Sequence, residues 1–310
     1  MKKMLWLFLV VTVCFSLKTL SQNVNLDSML DAQTNAKNQS KTQRTQATFK
    51  STRLINGHTV ETTQGGVLDL KISHRFGPVN DGFYGMFGLD EASIRIGMDY
   101  GLTNRLTVGG GRSSFQKQYD GFLKYRLFWQ SEGEKKIPVS VTLLASVMYG
   151  TDTGTAMRLA KKSPIELSTE DRFSYAYQVL IARKFSPNFS LQLMPSLVHE
   201  NLIDSNSDHN NIFAIGAGAR FKLTPRSSIN IEYYYPLKGS KLDGTNYTFS
   251  IGYEIETAGH VFQVHFSNST GMTENSFIAG NSEKWGKGDV HLGFNISRVF
   301  TIRKPKDIKM

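Results

Sequence analysis

The fold is decided by the stretch ASIRIGMDYGLTNRL, residues 92–106. Its side chains alternate between an apolar and a polar face, which is the period of a β-strand. The apolar face carries Ala92, Ile94, Ile96 and Met98. The polar face carries Ser93, Arg95 and Asp99. A tight connector at residues 102–104 ends the strand and reverses the chain, so the stretch predicts the start of an antiparallel hairpin.

About twelve such runs follow one another between Val67 and Ile302. The connectors after runs two, six, eight and ten are short, and those after runs one, five, seven, nine and eleven are long and polar. Short turns at one end and long loops at the other are typical of outer-membrane β-barrels. We therefore predict an all-β fold, an antiparallel up-and-down transmembrane β-barrel of about 12 strands. The connectors at 114–118 and 131–137 depart from the alternation, so residues 105–140 leave the strand count open.

Aromatic residues on the apolar face collect at the two ends of the predicted strands. The loop-end set is Phe76, Tyr149, Phe173, Tyr175, Phe213, Tyr233, Tyr235 and Tyr247. The turn-end set is Tyr100, Trp129, Phe185, Phe189, Phe221 and Phe262. Aromatic rings favour the two bilayer interfaces, so two belts indicate a barrel in a membrane rather than in water.

The chain divides into four parts, of which only one is a folded barrel. They are a cleaved signal peptide at 1–22, a polar periplasmic arm or linker at 23–65, the barrel at 66–302 and a short basic C-terminal tail at 303–310. The arm is rich in Asn, Gln, Thr and Ser, and its sequence does not decide whether it hangs free or plugs the barrel. Cys14 is the only cysteine and lies in the signal, so the mature chain forms no disulfide.

The formal net charge of +10 raises the question of a nucleic-acid partner. Basic residues alternate with apolar ones along the strands instead of clustering on one surface, so we expect no nucleic acid. We also expect no cofactor and no metal. The loop from Asp204 to Asn210 spaces its oxygens as a calcium loop does, but it lacks the central glycine and the closing glutamate.

A charged cluster is predicted on the inner faces of the first four strands. It consists of Asp69, Lys71, Arg75, Arg95, Asp99, Arg105, Asp120, Lys124 and Arg126. One interpretation is a network of ion pairs that fills a narrow lumen. The other is a cationic pore wall that attracts small anionic solutes. The two interpretations are compatible, because residues that hold a wall together also set its charge.

Two further patterns concern catalysis and backbone shape. His265 and Ser267 share the inner face of strand eleven with Glu254 diagonally opposite, but polar residues share a face on any lumen wall, so we expect no enzyme. The run Gly109–Gly111 predicts a β-bulge that would turn Arg112 into the lumen, because an arginine in lipid is costly.

The chain resembles a family of bacterial membrane-bound β-barrel proteins that share a domain of unknown function. The matching motifs are Thr52 to His58, His74 to Gly77, Ile94 to Gly97, Asp99 to Leu106, Val108 to Ser113, Tyr119 to Gly121 with Lys124 to Arg126, and Gly293 to Ile296. Their order along the chain carries the resemblance. It implies a barrel in the outer membrane of a Gram-negative bacterium and implies no substrate.

Together these patterns favour a narrow channel or small-solute transporter with a charged lumen in the bacterial outer membrane. The alternative is a non-conducting scaffold or partner-docking barrel that binds a periplasmic protein through the 23–65 arm. A membrane-embedded hydrolase is the weaker alternative. Outer-membrane lipid is an expected partner in each case, and the width of the lumen separates the first two.

Overall fold

The computed structural model describes residues 42–151, 168–203 and 209–303. Twelve long strands make up most of this part of the chain. They are β1 (Val67–Pro78), β2 (Ala92–Gly101), β3 (Leu106–Ser113), β4 (Gln118–Phe128), β5 (Ser140–Gly150), β6 (Phe173–Ser186), β7 (Phe189–Glu200), β8 (Asn211–Thr224), β9 (Ser227–Pro236), β10 (Thr248–Thr257), β11 (His260–Ser267) and β12 (His291–Thr301). The predicted signal peptide, arm residues 23–41 and tail residues 304–310 lie outside the described residues.

The twelve strands form one closed antiparallel barrel in which each strand pairs with its neighbours in sequence. β12 closes the barrel against β1, from His291 opposite Pro78 to Thr301 opposite Val67. Closure leaves no unpaired strand edge, which is the condition for a sheet to lie in lipid. The predicted fold and strand number are confirmed. Within the described ranges, no helix is both long enough and apolar enough to cross a membrane.

The alternation of side chains that the sequence predicts is present in the barrel wall. Lys71 and Arg95 point inward and are 4% and 2% exposed. Ile96 and Met98 point outward and are 50% and 51% exposed. The inner wall therefore carries the charges, and the outer wall is apolar along these strands.

The connector between β4 and β5 departs from the short-turn pattern because it meets the N-terminal arm. Its residues Ser131–Glu132 pair with Gln43–Arg44 in a small antiparallel ladder. The backbone N–H of Thr45 also donates to the carbonyl of Gln130 at 2.8 Å. The longer connector at this end of the barrel is thus the place where the arm enters.

Aromatic rings of neighbouring strands touch at both ends of the barrel. The loop-end pairs are Tyr149 with Phe173 and Tyr233 with Tyr247, whose ring centroids are 4.9 and 5.6 Å apart. At the turn end, Phe189 lies 5.8 Å from Phe185 and 4.9 Å from Phe221. Cross-strand aromatic contacts of this kind stabilise the barrel at each interface.

The prediction that Trp129 belongs to the turn-end belt is wrong. A register shift in β4 between Arg126 and Phe128 inserts one residue, so Phe128 takes the outward position and is 52% exposed. The Trp129 ring instead lies between the guanidinium groups of Arg44 and Arg105, at 4.4 and 4.2 Å. A bulge changes which face each later side chain occupies, and its position is not evident from the sequence.

The bulge predicted at Gly109–Gly111 is absent, and the predicted inward direction of Arg112 is wrong. β3 pairs with β2 and with β4 in an unbroken register. Ser113 is buried inward, and Arg112 points outward with its guanidinium carbon 5.6 Å from the Tyr119 ring. Arg112 lies near the loop end of β3, where an outward arginine reaches the interface and costs little.

The glycines of β2 and β3 make room for two large inward side chains. A Cβ added at Gly109 would collide with the Phe122 ring, and one added at Gly97 or Gly111 would collide with the Arg95 guanidinium. The glycine run therefore has a packing role inside the lumen rather than a role in bending the strand.

Candidate functional site

The predicted charged cluster lies inside the barrel, with one exception. Arg105 is at the turn-side rim, where its guanidinium donates to the carbonyls of Arg126 and Leu127 at 3.2 and 2.9 Å. The other eight side chains of the cluster are almost completely buried, and the side chain of Asp120 is 3% exposed. The structure thus brings eight of the nine together on the lumen wall.

Part of this cluster is paired within the wall. The Lys71 ammonium donates to the carboxylates of Asp69 and Asp99, and the bond to Asp99 is 2.7 Å. Arg95 donates to both oxygens of Asp120, from Nε at 2.8 Å and from Nη2 at 2.5 Å. Bidentate pairs of this kind are the strongest and most directional of protein ion pairs.

A plug segment, residues 42–66, enters at the turn end and occupies the lumen with its buried part. Residues 52–60 are buried without exception. They form a tight reversal in which Arg53 is opposite His58 and the N–H of Leu54 donates to the carbonyl of Gly57 at 2.8 Å. The part of the arm that the structure describes therefore plugs the barrel instead of hanging free.

The Glu232 carboxylate on β9 holds the tip of the plug. It accepts hydrogen bonds from the backbone N–H groups of Ile55, Asn56 and Gly57, at 3.2, 3.1 and 2.9 Å. Three converging N–H groups form a concave site for an anion, and the carboxylate fills it. The three N–H groups of the tip thus share a single wall acceptor.

Other wall side chains bind the plug backbone in the same way. Gln192 accepts from the N–H of Val60 at 2.6 Å and donates to the carbonyl of His58 at 2.8 Å. Gln263 donates to the carbonyl of Leu54 at 2.7 Å. The plug therefore contacts β7, β9 and β11 through polar groups that replace the hydrogen bonds of water.

Three cations of the predicted cluster also bind the plug. The contacts are Arg75 Nη2 to Asn56 Oδ1 at 2.8 Å, Lys124 Nζ to the carbonyl of Thr52 at 3.1 Å, and Arg126 Nη2 to Glu61 Oε2 at 2.8 Å. These groups do not line an open passage in the structure. They hold the segment that closes it.

The connector between β11 and β12, residues 268–290, enters the lumen from the opposite end. Its one-turn π-helix Asn275–Ala279 is buried, and the Phe277 ring packs on Tyr234 of β9 with centroids 5.1 Å apart. The hydroxyl of Thr248 donates to the Phe277 carbonyl at 2.6 Å. We call this connector the inserted loop.

The plug and the inserted loop meet at Glu274. Its carboxylate oxygen lies 3.4 Å from His58 Nε2 and 3.6 Å from Arg53 Nη1. Burial, together with nearby cations such as Arg53, lowers the pKa of His58 well below its usual value. Burial also raises the pKa of Glu274. The Arg53 guanidinium and the Glu274 carboxyl group thus join the plug to the inserted loop.

Basic and acidic side chains are interspersed inside the described barrel. The basic ones include Arg53, Lys71, Arg75, Arg95, Lys124, Arg126 and Arg220, and the acidic ones include Glu61, Asp69, Asp99, Asp120, Glu232, Glu254 and Glu274. A cavity between plug and wall beside Arg53 and Gln263 has a volume of about 20 Å³, which holds about one water molecule. The plug and the wall are therefore closely packed at this point.

One side of the inner wall is apolar, and this side was not predicted from the sequence. The inward residues of this apolar patch are Leu144, Met148, Ala176, Leu180, Met194, Val198, Ile212, Ala214 and Tyr234, from β5 to β9. They pack against Phe277, Ile278 and Ala279 of the inserted loop. The available signal was that these strands are apolar on both faces, as at Leu143–Leu144 and Leu193–Met194. The inserted loop thus lies on an apolar surface, whereas the plug contacts the wall both through polar groups and through Leu54 and Val60, which cluster with Ala182.

The weak catalytic arrangement is not linked by hydrogen bonds. Neither ring nitrogen of His265 has a hydrogen-bond partner, while Ser267 pairs with Ser250 at 2.8 Å and Glu254 accepts from Ser228. No group of three or more potential metal ligands occurs among the residues the structure describes. The acidic loop considered for calcium has its residues 204–208 outside those ranges.

A substitution at Gly57 tests how closely the plug tip fits. A Cβ at this position would overlap the Tyr234 hydroxyl, which lies on a fully buried ring. We expect Gly57→Ala to displace the tip and to raise amide hydrogen exchange in residues 53–59. Gly286→Ala, where the added Cβ meets nothing within 4 Å, should leave exchange there unchanged. Equal exchange in both variants would contradict this fit.

A family model described as "Membrane bound beta barrel domain (DUF5777)" matches residues 49–300. The chain belongs to this family. The match begins within the plug, so the family domain includes the plug tip as well as the barrel. Membership makes the barrel a membrane barrel, and it assigns no activity, because the family is one of unknown function. A search of curated proteins found no match.

Solved structures with a similar fold include proteins of different activities. The KdgM porin is 8% identical, with 76% of this chain and 99% of that chain covered and a TM-score of 0.44. Acinetobacter baumannii Omp33 is 9% identical over 76% and 100% of the two chains, with a TM-score of 0.40. An active-site mutant of Escherichia coli outer membrane phospholipase A is 8% identical over 77% and 91%, at 0.43. Likenesses this distant carry no information about function.

Proposed function

We propose that this DUF5777 barrel is a gated passage for small solutes in the bacterial outer membrane, held closed by its plug. The observation that carries the proposal is the polar contact between plug and wall, centred on Glu232 and the tip at Asn56. The turn side, where the arm enters, would face the periplasm.

The chemistry of the wall supports a plug that leaves. A permanently filled interior is at least as stable with apolar packing, because buried charges lose their hydration. The polar side chains of the wall regain hydration, which stabilises them, only when the plug moves out and water enters. The wall behind the plug carries Arg75, Lys124, Arg126 and Glu232, which water would solvate after withdrawal.

Withdrawal would also change the charge that a solute meets. Arg75, Lys124 and Arg126 would lose their plug partners, as would Glu232. The remaining Arg95 would stay paired with Asp120 in the wall. Glu274 of the inserted loop would lose Arg53 and His58 as well. Three freed cations against two freed carboxylates favour small anions in the open state.

Conductance in planar bilayers tests the gate. We expect the full-length protein to be almost silent and a variant lacking residues 42–64 to conduct with anion-selective reversal potentials. A second variant, Asn56→Cys with Ser250→Cys, places thiols where the side chains now touch at 3.0 Å. Oxidation should hold this variant silent and reduction should release it, while each single cysteine variant should not respond. A folded deletion variant that stays silent would overturn the proposal.

A non-conducting scaffold is the second candidate, and the filled lumen favours it. In this case the arm would be an attachment for a periplasmic protein, fixed to the barrel at Gln43–Arg44. Silence of the folded deletion variant, together with loss of a bound partner when residues 23–41 are removed, is the result this candidate expects. A conducting deletion variant would count against it.

A further inference from the structure

The wall side chains that hold the plug tip bind its main chain more than its side chains. Each residue from Leu54 to Val60 except Thr59 has an N–H or carbonyl group bonded to a wall side chain. These wall residues are Arg126, Thr142, Gln192, Glu232, Gln263 and Asn295. In the described wall, hydrogen bonds to the side chains of this stretch are confined to Asn56. The wall thus binds groups that every peptide possesses.

Both halves of the peptide group find partners on the wall. At Ile55 the N–H donates to Glu232 at 3.2 Å, and the carbonyl accepts from Asn295 Nδ2 at 2.9 Å. Gln192 both accepts from a plug N–H and donates to a plug carbonyl. A carboxamide matches a peptide in this way because it carries a donor and an acceptor side by side.

The wall beside the apolar plug side chains is formed by small residues. A Cβ added at Gly218 would collide with the Leu54 side chain, and Leu54 and Val60 cluster with Ala182. Small wall residues leave space that side chains of other shapes can occupy. The wall at this point therefore places few steric demands on the sequence of a bound peptide.

A cationic group lies at the end of this stretch. The carbonyl of Val60 accepts from Arg126 Nη2 at 2.6 Å and from the Thr142 hydroxyl at 2.7 Å. The same Nη2 donates to the Glu61 carboxylate at 2.8 Å. A free peptide that ended at the position of Val60 would place its terminal carboxylate here, and arginine binds carboxylates with two parallel hydrogen bonds.

We propose that the plug tip occupies a binding site for short peptides with a free C-terminal carboxylate, and that such peptides are the solutes of the barrel. Their length would be about that of Leu54–Val60. This inference rests on the proposed gate, because the site is free only when the tip has left it. A peptide carboxylate also agrees with the preference for anions expected of the open state.

A synthetic peptide with the sequence of Leu54–Val60 and an N-terminal fluorophore tests the site. The tethered tip competes with it, so the receptor is the full-length protein with Asn56→Ala and Gly57→Ala, which weaken the tip and leave the wall unchanged. We expect saturable binding in fluorescence anisotropy, at least about tenfold tighter than to the unmodified protein. Absence of saturable binding to the double variant at millimolar peptide would overturn the proposal.

Modified peptides test whether the main chain is what the wall binds. N-methylation at the position of Gly57, whose N–H donates to Glu232, should weaken binding at least about tenfold. The matched control is N-methylation at the position of Thr59, whose N–H donates only to Thr52 of the plug itself. A peptide that keeps the glycine and permutes the other side chains should bind within about tenfold of the original. Equal affinity of the two methylated peptides would overturn the proposal.

The C-terminal group is tested separately. Replacing the terminal carboxylate by an amide removes the charge that Arg126 is expected to bind, and it should weaken binding about tenfold. Equal affinity of the acid and the amide would overturn the assignment of the carboxylate.

Wall variants locate the site inside the barrel. Added to the double variant, Gln192→Ala should weaken binding of the peptide about tenfold, because it removes one donor and one acceptor. Gln118→Ala is the matched control, since Gln118 is also a buried wall glutamine but bonds to Thr273 of the inserted loop. Equal binding to both variants would contradict a site at Gln192.

The binding measurement is independent of conductance. A barrel that binds the peptide and never conducts would overturn the gated passage and leave the peptide site in place. A barrel that conducts after deletion of the plug but binds no peptide would overturn only the peptide site.

Discussion

Replacing Glu232 with alanine is expected to release the plug tip from the barrel wall. The substitution leaves the N–H groups of Ile55, Asn56 and Gly57 buried without their acceptor. An unsatisfied buried donor costs at least about 1 kcal/mol, so three cost about 3 kcal/mol or more. The population with the tip detached should rise on the order of a hundredfold. Amide hydrogen exchange of residues 55–57 in lipid vesicles measures this population directly.

Glu254→Ala is the matched control for Glu232→Ala. Glu254 is also a buried carboxylate, but it accepts hydrogen bonds from Ser228 and Asn230 of the wall instead of the plug. Its loss should destabilise the wall locally and leave exchange at the plug tip unchanged. Slow exchange at the tip in Glu232→Ala, equal to that of the unmodified protein, would show that Glu232 does not hold the plug.

The second large effect is expected at the ion pair of Arg95 and Asp120. Arg95→Ala would leave a buried carboxylate with no cation and a void beside Gly97 and Gly111. Breaking one side of a buried pair costs about 3–5 kcal/mol. Urea unfolding of the barrel in vesicles measures the loss as a lower free energy of unfolding.

Two further variants make this result specific. Arg95→Leu combined with Asp120→Leu removes both charges and should recover most of the stability, because apolar side chains of similar size replace a buried pair well. Arg112→Ala removes an outward arginine that contacts the Tyr119 ring, and it should change stability by about 1 kcal/mol or less. If Arg95→Ala and Arg112→Ala lowered stability equally, the pair would not be important for the wall.

The strands were predictable because their pattern is local. A strand between lipid and lumen alternates apolar and charged residues, as Ile96 and Arg95 do, and this alternation is visible in any short window of sequence. The predictions were wrong where one inserted residue shifts the alternation of side chains, or where packing against side chains of neighbouring strands determines which residue fits. The insertion before Phe128 turned Trp129 toward Arg44, and the space needed by Arg95 and Phe122 explains the glycines of β3.

The sequence by itself determined the antiparallel twelve-stranded barrel, the end of the barrel at which most of the short turns lie, and the inward position of most of the charged cluster. Only the tertiary structure decided what these charges contact. Glu232 and Gly57 are 175 residues apart, and barrel closure brings them within hydrogen-bond distance. Contacts between distant residues leave no periodic pattern in the sequence, so the contacts of the plug and of the inserted loop became evident only when the strands were in place.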